Sequence, residues 1–375
     1  MRQIFGLLGP RTSRRDEVFA AMAHAGTPRL TPDQAHQQNE VAVGVIGPST
    51  PTSFAASHLQ VDPLTGIVGG YLGNAIPREA GIDDANPCWL PRAYAEHGTN
   101  LFSRLPDQFV VAIWDPRSHE LLLARDRLGQ LPLFYSNRGQ RVSFASRLPT
   151  LLVDGQQDLE IDLHAVSHYL EYKYVPAPRS IYSGINKLPP AHYAVFSAQG
   201  VEVKRYWAVA YSPKTAMTLD QAGNHIRSHL LDQASKATTQ AAPVGAYLSG
   251  GLDSSAVVAA LARTSSQAIS TFAIGFESAS HNELPHARVV AQQYGTNHHE
   301  LVVTPAALSE LDLLVDLFGE PYADASALPS LFAARQAGSQ AEVVFTGDGG
   351  DETLGGYTRY LMHPSRSNPL MWRGF

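Results

Sequence analysis

Residues 243–262 read PVGAYLSGGLDSSAVVAALA, and the fold follows from how this stretch divides. Val244–Leu248 is short, apolar and Tyr-containing, the profile of a buried strand. Ser249-Gly250-Gly251 breaks that pattern. From Ser254 onward Ala256, Val257, Ala259, Ala260 and Leu261 recur at helical spacing, and Ala is the best helix former. The spacing predicts strand, glycine loop, helix.

That arrangement suits a phosphate. The first turn of a helix offers free N–H groups and a partial positive charge. Gly250 and Gly251 let the backbone approach closely, and Ser249, Ser254 and Ser255 carry hydroxyls. Asp253 would repel a phosphate unless it holds Mg²⁺, which takes carboxylate and phosphate oxygens together. A serine-capped turn is the plain alternative, and the full Ser-Gly-Gly-Leu-Asp-Ser-Ser string argues against it. No Gly-Lys-Ser/Thr follows, which excludes a Walker loop, and the dinucleotide G-x-G-x-x-G spacing is absent. The string resembles the SGGxDS loop of enzymes that split ATP into AMP and pyrophosphate.

At 375 residues two domains are expected. Hydrophobic content of 44% and charged content of 17% describe an ordinary globular chain. The net charge of −6 argues against a general nucleic-acid or membrane-surface binder. One cysteine, Cys88, excludes an internal disulfide framework and suits a reducing cytoplasm. MRQIFGLLG is too short for a signal peptide, and no apolar run approaches the ~20 residues that span a bilayer.

Residues 1 to about 205 read as β-rich, with strand-like runs at 41–47, 65–74, 109–115, 120–126, 131–136 and 141–146 punctuated by turn residues. Helices are predicted at Arg14–His24, Pro91–His97 and Asp162–Tyr172. The polar passage YSPKTAMTLD places the boundary near residue 210, giving domains 1–210 and 211–375. From Leu219 helices and strands alternate, which implies a parallel sheet. Helices are predicted at 219–238, 284–294, 307–318 and 326–338, and strands at 268–276, 298–303 and 342–346. Ligands in such sheets lie beyond the strands' carboxyl ends. That rule gathers three loops, 249–255, 275–283 and 347–352.

The last of these, GDGGDE, brings Asp348, Asp351 and Glu352 to the mouth of a buried strand. An acidic surface turn fits that placement poorly, because a cation or a proton must offset the repulsion. Asp351 is the candidate second Mg²⁺ ligand beside Asp253, and Asp348 and Glu352 are the catalytic candidates. His298-His299-Glu300 is read as structural, since adjacent strand residues point to opposite faces.

SGGLDSS and GDGGDE together, with FAIGF, ELPHARVVAQQYGTNHHE and GEPYADASALP between them, resemble the asparagine synthetase family. The likeness extends through ARDRLGQLPLFY, FASRLPTLL and YVPAPRSIYSGINKLPPAHY to cover essentially the whole chain. It implies an antiparallel Ntn-hydrolase-like sandwich with flanking helices, then a parallel-sheet ATP-pyrophosphatase domain. It also implies a glutaminase that releases ammonia to a synthetase, where ATP adenylates a carboxylate. By the same resemblance Leu248, Ser249, Gly250, Gly251, Asp253, Ser254 and Ser255 grip ATP, and Ile274 and Gly347 line the nucleotide site. Asp348 lies near the reacting carboxylate, and the 320–326 loop belongs to the substrate pocket. The implied partners are a small-molecule or peptide carboxylate, with no nucleic acid and no membrane; a homodimer stays open.

Two departures stand out. Working family glutaminases place a cysteine after the initiator methionine, where this chain has Arg2, a guanidinium that cannot attack an amide. The Asn-Gly-Glu that holds glutamine is replaced by Gly69-Gly70-Tyr71, and the Arg-Leu-Ser-Ile strand by Val43-Gly44-Val45-Ile46. The glutaminase half is expected to be inactive, as in β-lactam synthetases and lasso-peptide cyclases, which close an activated carboxylate onto an amine. A glutamine-hydrolysing asparagine synthetase and a non-catalytic nucleotide-binding protein are the alternatives. Family synthetase domains also continue past GDGGDE with a catalytic lysine, so this domain is expected to be incomplete.

Overall fold

A computed structural model describes residues 3–25, 34–38, 40–46, 56–73, 86–105, 108–139, 141–153, 159–238, 243–278 and 282–361. Its N-terminal half contains β1 (Gln3–Leu8), α1 (Ser13–Ala25), β2 (Gln34–Gln37), β3 (Val41–Ile46), β4 (Ala56–Val61), β5 (Val68–Gly73) and α2 (Trp89–His97). There follow β6 (Phe109–Asp115), β7 (Glu120–Arg125), β8 (Phe134–Arg138), β9 (Arg141–Ala145), α3 (Leu148–Leu152) and α4 (Leu163–Tyr172). β10 (Asn186–Lys187), β11 (His192–Ser197) and β12 (Gly200–Arg205) complete this half.

The strands form two six-stranded sheets, ordered β10-β8-β9-β1-β3-β2 and β12-β11-β7-β6-β5-β4, with antiparallel pairing throughout. Period-2 alternation sends successive side chains into different cores. In β6, Val110, Ala112 and Trp114 meet Ile4, Val43 and Phe144 between the sheets. Phe109, Val111 and Ile113 face outward onto Trp89 and Leu90 of α2. Likewise Phe5 and Leu7 of β1 pack on Val18, Phe19 and Met22 of α1. Four layers result, helix–sheet–sheet–helix, and burial of both strand faces explains why these segments read as continuous apolar runs. The ARDRLGQLP segment is a brace: Arg125 donates to the carbonyls of Leu131, Leu188 and Gly129 at 2.6–2.8 Å, while Asp126 accepts three N–H groups of its own loop.

The second half contains α5 (Leu219–Thr238), β13 (Val244–Tyr247), α6 (Leu252–Thr264), β14 (Ser270–Phe276), α7 (Leu284–Tyr294) and β15 (Asn297–Val303). After them come α8 (Leu311–Phe318), α9 (Ala327–Ala337), β16 (Val343–Phe345) and α10 (Gly350–Leu354). The four strands pair in parallel in the order β15-β14-β13-β16. The expected antiparallel sandwich with flanking helices, followed by a parallel sheet, is therefore the observed fold class. The chain divides into Met1–Lys214 with Glu310–Ala327, and Thr215–Ser309 with Leu328–Phe375. Several details differ from the sequence reading, which did not expect β2, β4 or α3. The 307–318 helix is a 3₁₀ turn, Pro305–Glu310, followed by α8, and α10 begins inside the GDGGDE loop.

Candidate functional site

β13 pairs with β14 on one side and β16 on the other, and the chain runs outward through β14 to β15 before returning to β16. The strand order reverses between β13 and β16. Open parallel sheets bind ligands at such a reversal, beyond the strands' carboxyl ends. The loops that leave these two strands are 248–251, leading into the first turn of α6, and 346–349.

They touch. The Asp253 carboxylate lies against Gly350, where an added Cβ would overlap its Cγ and Oδ2. A Cβ on Gly347 would stand 2.9 Å from the Ser254 nitrogen. On the other flank Gly250 holds φ at +85°, and a Cβ there would lie 2.6 Å from the carbonyl carbon of His286 in α7. The loop is thus wedged between α7 and the 347–350 turn, with Gly250, Gly347 and Gly350 at the contact points.

Within the loop two of the three hydroxyls are engaged. Ser249 Oγ and Ser254 Oγ are 3.0 Å apart, and Ser249 Oγ accepts the Gly251 N–H at 3.2 Å. Ser254 Oγ accepts the Ser249 N–H and donates to the Gly251 carbonyl, both at 3.3 Å. Leu248 is buried and donates its N–H to the Phe272 carbonyl at 2.8 Å. Ser255 Oγ is buried and has no hydrogen-bond partner among the described residues. An unmet buried hydroxyl costs ~1–3 kcal/mol, which a ligand oxygen would offset. α6 begins at Leu252, and its N-cap Gly251 supplies no side-chain cap, leaving the positive end of a 13-residue helix at the same place.

On the acidic side, the Asp348 N–H donates to Thr346 Oγ1 at 3.2 Å. Burial, and then the charge of Asp348, push the Tyr247 phenol up from its ordinary pKa. Asp351 and Glu352 lie in the first turn of α10. The Tyr357 hydroxyl donates to Glu352 Oε1 at 2.7 Å, a partner missed by the sequence reading although it sits five residues further on. Ile274 lies near the carboxyl end of β14, opposite Leu301 of β15. No cluster of three or more metal-ligating side chains occurs among the described residues. Mg²⁺ characteristically takes one or two carboxylates and fills its shell with substrate phosphates and water, and Asp253 and Asp351 are the carboxylates that would hold such an ion.

Residues 225–374 match the asparagine synthase family, and residues 89–207 match a glutamine amidotransferase domain. Glutamine-hydrolyzing asparagine synthetase 1 of Bacillus subtilis (strain 168) is 31% identical over 72% of this chain and 43% of its own length. Residues 225–374 belong to the asparagine synthase family. A Mycobacterium bovis relative is 35% identical over 71% of this chain and 42% of its own length. The chain spans less than half of each of these two relatives.

Other residues singled out by the sequence fall outside these two loops. Glu320 lies in the first unit, where its carboxylate pairs with Lys187 and accepts the Ile181 N–H at 3.2 Å. His298 Nδ1 is 2.9 Å from Thr271 Oγ1, whereas His299 stacks on Phe272 with centroids 5.3 Å apart. The Cys88 thiol donates to the Val61 carbonyl at 3.3 Å.

Arg2 lies outside the described residues. The strands that resemblance assigns to glutamine binding are described, and their neighbours fill the space beside them. A Cβ on Gly69 would stand 2.8 Å from Leu90 Cδ2, and one on Gly70 2.8 Å from Ile4 Cδ1. The Phe5 ring occupies the same position beside Gly44. Tyr71 is fully buried and meets Trp89 edge-on at 5.2 Å.

Proposed function

We propose that this chain uses ATP to adenylate a substrate carboxylate, releasing pyrophosphate, and forms an amide with ammonia or an amine that glutamine does not supply. The observation that carries the reading is the seat of Asp253 against Gly350, which joins the SGGLDSS loop to the acidic turn at the sheet's reversal point. In this reading Ser255, the amides at the start of α6 and the glycine loop hold the phosphates. Asp253 and Asp351 would hold Mg²⁺, whose charge offsets that developing on pyrophosphate. Asp348 and Glu352 would orient the reacting groups, with Tyr357 fixing the Glu352 carboxylate. Much of the rate would come from such positioning.

Apolar packing at Gly69, Gly70 and Gly44 disfavours glutamine hydrolysis and favours an amine of the substrate itself, as in an intramolecular or lasso-type ring closure. A cytoplasmic location accords with the lone cysteine. No helix among the described residues is long and apolar enough to cross a membrane. The test is ATP–pyrophosphate exchange with aspartate and with peptide carboxylates, each with ammonia or with glutamine. Exchange stimulated by a carboxylate, and amide formation with ammonia or an internal amine but not with glutamine, is expected. Glutamine-dependent amide formation would overturn the second half of the reading, and absence of exchange with every carboxylate the first.

A further inference from the structure

The Lys187–Glu320 pair takes no part in the reaction proposed above, yet both side chains are nearly buried, at 13% and 11% exposure. Lys187 Nζ also donates to the Val175 carbonyl, and the Ala323 N–H donates to the Lys173 carbonyl at 2.8 Å. These contacts hold Glu310–Ala327, which packs in the first unit although Ser309 before it and Leu328 after it belong to the second. Beneath the strap lies a cavity of about 900 Å³, walled by Phe318 and Tyr322 of the strap and by Leu131 and Tyr174. Gly319 rests closely on Pro149 and Leu148 at one point of the strap, while beside the cavity the fixing contacts are polar. At the strap's far end Asp324 Oδ1 accepts the Ser326 N–H and hydroxyl at 2.8 and 2.6 Å, opening α9. The chain then passes through α9 and β16 into the 347–350 turn.

We propose that Lys187 is a positioning residue. By pairing with Glu320 it sets the register of the 310–327 strap on the first unit and, through α9 and β16, the seat of the 347–350 turn against Asp253. The inference rests on the nucleotide-site reading of that turn. It gives the first unit a task that needs no glutaminase chemistry. Buried ion pairs seldom add net stability, because desolvation offsets their attraction, and fixing register is their best-attested use. Here burial pushes Lys187 down and Glu320 up in pKa against that attraction. A lone buried carboxylate has one low-energy seat, beside Lys187.

The experiment compares the full chain with Lys187→Met and Lys187→Met/Glu320→Leu by thermal unfolding, amide hydrogen exchange and ATP–pyrophosphate exchange. The single variant strands a buried carboxylate and should lower Tm. The double variant buries no charge and should recover Tm. Its amides across 319–327 and 343–354 should still exchange about tenfold faster than in the native chain. Its kcat should fall about tenfold, with KM for ATP within about twofold. Native amide exchange across 343–354 in the double variant would overturn the proposal, as would loss of its fold, which would make the pair a requirement of the structure itself. Absence of pyrophosphate exchange in the native chain would sink the enzymatic reading alone, because the amide measurement needs no turnover.

Discussion

The carboxylate of Asp253 rests against the backbone of Gly350, so the first turn of α6 and the acidic turn after β16 cannot move independently. A side chain at 350 must displace Asp253, and a longer side chain at 253 must displace the turn. Gly350→Ala is therefore expected to weaken Mg²⁺–ATP binding about tenfold, or ~1.4 kcal/mol, with the far-UV spectrum unchanged. Titration calorimetry checks this, and native affinity would separate the two loops functionally.

Asp253→Ala removes the carboxylate and leaves the glycine contact free. We expect a loss of ~1–3 kcal/mol in ATP affinity with Mg²⁺ present, the usual cost of deleting a charged partner. Without Mg²⁺ the loss should vanish or reverse, since an uncompensated carboxylate repels phosphate. Calorimetry at matched nucleotide, with and without the cation, reads both signs.

Gly250→Ala tests backbone geometry. At φ +85° a Cβ is strained, and here it would also meet the His286 backbone at 2.6 Å, where no side-chain rotation gives relief. A destabilisation of ~1–3 kcal/mol is expected from the denaturation midpoint of the second unit.

The strand–loop–helix reading of 243–262 was legible because its signals were local: an apolar run, two glycines, then helical spacing. The largely buried strands β3, β6 and β7 were legible for the same reason. β2 (QAHQ) and β4 (ASHLQV) were not, because they are sheet edges whose polar residues blur the pattern. Nor did sequence reveal that Glu320 is spent on Lys187. The two are 133 positions apart, and only the tertiary fold brings the strap onto the first unit. Ser249, Ser254 and Ser255 looked equivalent as phosphate donors, yet two of them brace the loop.

His298 and Glu300 set an acid sensitivity in the second unit. Burial lowers the His298 pKa below its ordinary 6.5, so the unfolded chain binds that proton more tightly. Its contribution is present above about pH 6.5 and is lost as pH falls below that value. Glu300 is held below its ordinary 4.5, chiefly by its hydrogen bond to Arg288. That contribution is present above 4.5 and is lost as pH falls through the folded value. The unfolding temperature should therefore drop from pH 7 to pH 5, and His298→Gln should flatten that drop while leaving the steeper loss below pH 4.5.

The last expectation concerns the first unit. Restoring asparagine at position 69 should not restore glutamine binding, because Leu90 Cδ2 stands 2.8 Å from the Cβ that would be added and Pro91 Cδ stands 3.2 Å from it. Leu90 is fully buried beneath β5 and cannot swing to solvent. Gly69→Asn alone should therefore cost ~1–3 kcal/mol through overpacking and by burying an unmet amide. Gly69→Asn/Leu90→Ala opens room and should recover part of that stability. Neither variant, nor the native chain, should release glutamate from glutamine above a no-enzyme blank, because Arg2 supplies no nucleophile. Glutamate release by the native chain would show that the apolar packing around Gly69 and Gly70 leaves a working amidase.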